Sequence, residues 1–182
     1  MKDGHPLASP TPAHHLTGPD VRAWLAHREP MLFIDAAWVD AGLQRITTEH
    51  RFDAAEPYFA GHFPGDPVVP GVVLLECLAQ AGRLLLNRRA GAVRAGYLAG
   101  IDLAKFHQVL RPGDTPRFDV HLLADRGLAT GTGTLFQFKG AIYRGGTRCA
   151  RAHFTLHQAA PCAPRPAEPA ASPCSSQLLA RP

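Results

Sequence analysis

Two side chains able to do acid–base chemistry, His62 and Glu76, stand 14 residues apart. The histidine lies in the segment Gly61-His62-Phe63-Pro64-Gly65-Asp66-Pro67-Val68-Val69-Pro70-Gly71, where six of eleven residues are Gly or Pro. Proline fixes φ and glycine permits close backbone approach, so this loop is expected to hold one shape. Two readings of His62 stay open at this level. A histidine before a Pro-rich turn is commonly structural, whereas one held in a rigid loop can serve as a base. Glu76 has the same ambiguity. It is either a carboxylate on a solvated helix face, or a partly desolvated one able to keep its proton and act as an acid. The N–H of Gly71 adds a third group. In the first turn of a helix it has no intrahelical partner, and it sits at the positive end of the dipole. There it can hold a carbonyl oxygen on which negative charge develops.

These groups need a helix, and the sequence supplies one from Pro70 to about Asn87. Pro70 suits the first turn, where its missing N–H costs nothing. Nearly every position of the helix is apolar or small. Its polar residues, Glu76, Gln80, Arg83 and Asn87, recur at steps of four, three and four and share one stripe. A helix apolar nearly all round is a buried helix, so something must wrap it. Gln80 and Arg83 either support Glu76 or bound water, or simply form a polar face.

The wrapping is expected from strands at Met31–Val39, Leu43–Phe52, Gly96–Val109, Arg117–Ala124, Thr130–Tyr143 and Thr147–His157. In the last, Ala150, Ala152, Phe154 and Leu156 alternate with Cys149, Arg151, His153 and Thr155, and Arg144-Gly145-Gly146 reads as the hairpin turn before it. A short helix is expected at Val21–Ala26. The order points to an α+β fold, a curved antiparallel sheet around one long central helix. The ends differ in composition. Residues 1–19 read as a mobile extension, 20–158 as the folded domain, and 159–182 as a disordered Pro/Ala/Ser-rich tail.

The 182 residues suit one domain with a proper core. No apolar run reaches the roughly 18 residues of a membrane span, and the N-terminus lacks the pattern of a secretory signal. Cys77, Cys149, Cys162 and Cys174 show no CxxC pairing or metal-ligand spacing, so a reduced, cytoplasmic protein without a metal is expected. The formal charge is +4, and Arg83, Arg88, Arg89 and Arg94 fall together. They form either a solvated helix end favoured by the dipole or a docking patch for an acidic partner. No aromatic residues interleave with them, which argues against nucleic acid.

The segment GHFPGDPVVPGVVLLECLAQAG resembles the signature of the 3-hydroxyacyl-[acyl-carrier-protein] dehydratases. Ordered blocks on both sides are similar too: His27-Arg28-Glu29-Pro30-Met31-Leu32-Phe33-Ile34-Asp35, Glu56-Pro57-Tyr58-Phe59, Gly100-Ile101-Asp102, Lys105-Phe106 and Arg111-Pro112-Gly113-Asp114. The resemblance spans about residues 24–157. It implies a hot-dog fold and a homodimer, and it leaves open a higher assembly of dimers. Active sites then lie at the dimer interface, with His62 of one copy facing Glu76 of the other, the Val68 carbonyl orienting the histidine, and Gly71 holding the thioester carbonyl.

The resemblance also implies water removal from a 3-hydroxyacyl group on the phosphopantetheine arm of an acyl carrier protein, without metal or redox cofactor. Glu76 places the chain in the family's glutamate branch rather than its aspartate, isomerising branch. Ala36 after Asp35, and His107-Gln108-Val109, depart from the family pattern. These leave the acyl group open among fatty-acid, polyketide and aryl-polyene substrates. A hot-dog thioesterase, a non-catalytic hot-dog subunit and a dehydratase–isomerase are the alternatives.

Overall fold

The computed structural model describes residues 12–127 and 132–160. The elements run β1 (Pro12–Thr17), α1 (Gly18–Trp24), β2 (Ala36–Asp40), β3 (Arg45–Glu49), a 3-10 turn at Pro57–Ala60, α2 (Gly71–Ala90), β4 (Gly96–Phe106), β5 (Arg117–Gly127), β6 (Gly133–Arg144) and β7 (Thr147–Ala159). The strands form one sheet in the order β1-β2-β3-β5-β6-β7-β4, antiparallel throughout. After β3 the chain crosses one face of the sheet as α2 and returns as β4 at the far edge. The sheet therefore wraps the helix, as expected for an α+β fold of this kind.

Twenty residues make α2 about 30 Å long at ~1.5 Å per residue. Leu74, Cys77, Leu78, Ala81, Leu84 and Leu85 are buried on it. They pack in one core with Ile46, Phe118, Val120, Phe138, Ile142, Phe154 and Leu156 from the strands. Such close packing needs backbone without a side chain at one point, since a Cβ on Gly140 of β6 would lie 2.8 Å from Leu78 Cδ2. The helix stops at Gly91, whose left-handed φ of 65° lets its N–H turn back to the carbonyls of Arg88 and Asn87. The β6–β7 hairpin turns as expected, on Gly145 and Gly146, both with positive φ (55° and 82°). That is the geometry a two-residue turn between twisted strands demands.

Several sequence expectations shift. Pro70 is the residue before the helix rather than inside it, and its carbonyl accepts from Val73 and Leu74. Residues 31–35 do not join the sheet. Gln80 of α2 takes the Met31 carbonyl and the Phe33 N–H, and only the Asp35 N–H reaches β3, at the Glu49 carbonyl. The fourth strand ends at Phe106, short of Val109, and β3 is shorter at both ends than Leu43–Phe52. Thr130 and the residue after it lie outside the described residues.

The largest correction concerns the N-terminal extension, since Pro12–Thr17 form an edge strand paired with β2. Its polar, His-rich sequence has no alternation to announce it. The strand is held by backbone pairing, by the buried Leu16 and by the His15 ring stacked 5.0 Å from Trp38. Residues 1–11 and 161–182, which include Cys162 and Cys174, lie outside the described residues.

No helix is long and apolar enough to cross a membrane, among the described residues. The arginine group expected from the sequence is divided. Arg83 is buried in the core face of α2. Arg88 stacks over the Trp24 ring at 4.6 Å, and the exposed Arg89 donates to the Leu43 carbonyl.

The Leu78–Gly140 contact makes a direct test. Gly140→Val should lower stability by ~1–3 kcal/mol through overpacking, measured as a lower urea midpoint at unchanged slope.

Candidate active site

The Pro/Gly loop presents His62 through hydrogen bonds made almost entirely by backbone. The His62 N–H donates to the Tyr58 carbonyl at 2.9 Å, and the His62 carbonyl accepts from Val68 N–H at 2.9 Å. Val69 N–H is tied to the Leu110 carbonyl at 2.8 Å. The Arg111 guanidinium closes the outside of the loop on the Asp66 carboxylate and the Pro67 carbonyl. The imidazole is half-buried, with the Phe63 ring stacked on it at 4.2 Å.

The Nδ1 atom of His62 is 2.9 Å from the Val68 carbonyl. A carbonyl oxygen only accepts, so Nδ1 carries the proton and Nε2 of the neutral ring keeps its lone pair free. This is the orientation of a base with its reactive nitrogen outward. Gly71 opens α2 directly after the loop, and the Phe106 ring of β4 lies 3.0 Å from where a Cβ on Gly71 would stand. The ring leaves no room there for a side chain.

Glu76 lies 14 residues on and five into the helix, in a separate setting. Its Oε1 accepts from Gln80 Nε2 at 2.8 Å and is 3.5 Å from His27 Nε2. The buried Gln80 amide also donates to the Met31 carbonyl at 2.8 Å and accepts from Phe33 N–H at 2.9 Å. One side chain therefore orients the carboxylate and holds the strand-like segment before β2 against the helix. The rest of the stripe behaves similarly. Asn87 donates to the Trp24 carbonyl and accepts from Arg94 N–H, and Arg83 donates to the His157 carbonyl. The stripe is an internal polar seam, and the solvated-face reading of it is overturned.

Glu76, Gln80, Arg83 and His27 line a cavity of about 210 Å³ with Tyr97 and Leu98 of β4. His62 is not among its lining residues. One chain brings Glu76 together with Gln80, Arg83 and His27, and His62 together with Val68. His27 is the group that the sequence reading passes over as a site residue. Its spacing from Glu76 carries no periodic signal, because the contact depends on how Gln80 folds the intervening loop back.

Tyr97 and Leu98, which line the Glu76 cavity, belong to an unusual surface. β4 is an edge strand, and Tyr97, Leu98, Ile101 and Phe106 along it are exposed. Phe63 and Val72, from the histidine loop and the helix start, are exposed as well. Large apolar side chains grouped at an unpaired edge mark an association surface.

Comparison with known proteins shows the family. A family model described as ApeI-like, ApeI dehydratase, matches residues 39–140, more than half of the chain. The 3-hydroxyacyl-[acyl-carrier-protein] dehydratase FabZ of Enterococcus faecalis is 38% identical over 142 residues, covering 78% of this chain and 96% of that protein. The FabZ of Chloroflexus aggregans is 45% identical over 107 residues, 57% of this chain and 72% of that one. In structure, a chain of the dehydratase heterocomplex ApeI:P from Xenorhabdus doucetiae superposes with a TM-score of 0.63 at 18% identity, over 78% of this chain and 91% of that one. That likeness shows the hot-dog fold.

The Gln80 bridge can be tested alone. Gln80→Leu leaves the buried Phe33 N–H without an acceptor and should cost ~1–3 kcal/mol. Turnover by the variant should fall further than its fraction of folded protein, because the carboxylate loses its orienting donor. An unchanged melting temperature would contradict the bridging role. With the seam, the histidine loop and the relatives in agreement, the chain belongs to the 3-hydroxyacyl-[acyl-carrier-protein] dehydratase family.

Proposed function

We propose that the protein removes water from a 3-hydroxyacyl thioester carried on an acyl carrier protein, giving the trans-2-enoyl thioester. The observation that carries this reading is the His62 Nδ1–Val68 carbonyl hydrogen bond, in a chain similar to FabZ dehydratases over most of its length. That bond fixes the tautomer needed for the first proton transfer. His62 Nε2 takes a proton from the carbon next to the thioester carbonyl. The carbonyl oxygen, gaining negative charge, accepts from the Gly71 N–H at the helix end. Glu76, aimed by Gln80, gives its proton to the departing 3-hydroxyl, which leaves as water. The proton now on His62 returns through solvent to Glu76. Atoms and charge balance, and the elimination requires neither metal nor electron carrier.

In this reading His62 and Glu76 stand in two half-sites, completed by a second copy. Pairing at the β4 edge sets the histidine loop of one copy beside the Glu76 cavity of the other, and the exposed Tyr97, Leu98, Ile101 and Phe106 supply the apolar contact. The exposed Arg89 and neighbouring Arg94 offer an acidic carrier a basic landing near the end of α2, mainly through faster encounter.

Two measurements test the reading. Incubation with 3-hydroxyacyl carrier thioesters, followed by mass spectrometry, should show loss of water, with His62→Ala slower by ~10²–10⁴-fold. Release of free carrier thiol in place of the enoyl product would instead identify a thioesterase. Mixing inactive His62→Ala with inactive Glu76→Gln should restore about a quarter of wild-type activity, since random pairing leaves one intact composite site in half of the dimers. No recovery, with exchange of subunits verified, would refute a shared site.

A further inference from the structure

The cavity around Glu76 contains a second polar group that the elimination does not use. Arg83 lies seven residues along α2, a rise of about 10 Å at ~1.5 Å per residue. Its side chain is 6% exposed. Nη2 donates to the His157 carbonyl of β7, while Nη1 is buried with no hydrogen-bond acceptor among the described residues. Glu76, the one carboxylate lining the cavity, is engaged by Gln80 and His27. Burial pulls the pKa of Arg83 below its ordinary value, as expected for a cation removed from water without a counter-ion.

The fold makes room for this arrangement. A Cβ on Gly96 would overlap both the guanidinium and the His157 carbonyl, so β4 presents bare backbone where Arg83 crosses it. Between the two polar ends the wall is formed by Ala79, Tyr97, Leu98 and Leu156. An acid at one end, apolar walls between, and an uncompensated cation at the other are complementary to a chain with an anion at its far end. A buried polar group left unpaired is costly and calls for a partner. The planar guanidinium has the geometry to pair with a carboxylate.

We propose that Arg83 determines specificity, and that the preferred acyl group is of medium length and ends in a carboxylate. This rests on the dehydratase reading of the same cavity. A methyl-ended chain would fill the walls but leave Nη1 unpaired. The carboxylate-ended chain would satisfy it while its 3-hydroxyl lies at Glu76.

The test compares 3-hydroxyacyl carrier thioesters of matched length, one ending in methyl and one in carboxylate. Wild type should favour the carboxylate-ended substrate by ~10-fold or more in kcat/KM. Arg83→Met should invert that ratio, Arg83→Lys should retain part of it, and Gly96→Ala, which displaces the guanidinium, should erode it. Equal kcat/KM for the two substrates in wild type would overturn the proposal, even if every variant failed to fold. So would a preference that survives Arg83→Met, or a weakened dimer with the ratio unchanged, which would assign Arg83 to a carboxylate of the second copy.

If neither substrate is turned over, the dehydratase reading fails, and calorimetry decides the binding claim separately. Tighter binding of a free α,ω-dicarboxylate than of the matching monocarboxylate, lost in Arg83→Met, would support the anion site. Equal binding of the two would overturn it.

Discussion

A helix enclosed by its own sheet leaves Gln80, Arg83 and Asn87 almost no water to bond, and that constraint organises this protein. Gln80 shows it most clearly. Buried in α2, its amide must find protein partners for both its oxygen and its nitrogen. It finds them on Phe33, Met31 and Glu76. The same bonds that satisfy the glutamine pin the segment before β2 and orient the Glu76 carboxylate. Folding and positioning are thus one set of hydrogen bonds, and neither can be altered without the other. Asn87 repeats the pattern two turns on, tying Trp24 and Arg94 to the helix.

The histidine is held by the opposite means. Among the described residues, no side chain grips His62 by hydrogen bonding. Its ring is set by carbonyls and N–H groups of a loop whose prolines and glycines have few other conformations to lose. Glu76 thus stands on a polar seam and His62 on a stiffened backbone, each held by contacts of the folded chain.

Much of this was legible in the residues. The apolar content of α2 announced a buried helix, and Gly145-Gly146 announced the hairpin through a conformation that other residues resist. The signature around His62 led to the Val68 contact. What escaped was long-range. The His27–Glu76 approach depends on a loop folding back across 49 residues of sequence separation, counted from His27 to Glu76. The strand β1 depends on an open backbone edge at β2 rather than on its own polar residues. Arg83 was readable as part of the stripe, but its missing partner was not, since a lack of acceptors is a property of packing. Propensity and periodicity describe what a segment prefers alone, and each of these features is set by a distant neighbour.

The late-found strand β1 has a consequence for assembly. A sheet with two open, compatible edges can grow without limit, because each added copy presents a fresh edge. Here the two margins differ in kind. One is β4, eleven residues long and lined with exposed Tyr97, Ile101 and Phe106. The other is β1, six residues long, beginning at a proline and carrying the exposed polar rings of His14 and His15. A short, polar, proline-bearing margin templates poorly. Joining of β4 to β4 about a twofold axis would use up that edge in each copy. The six residues of β1 therefore leave β4 as the more adhesive margin of the sheet.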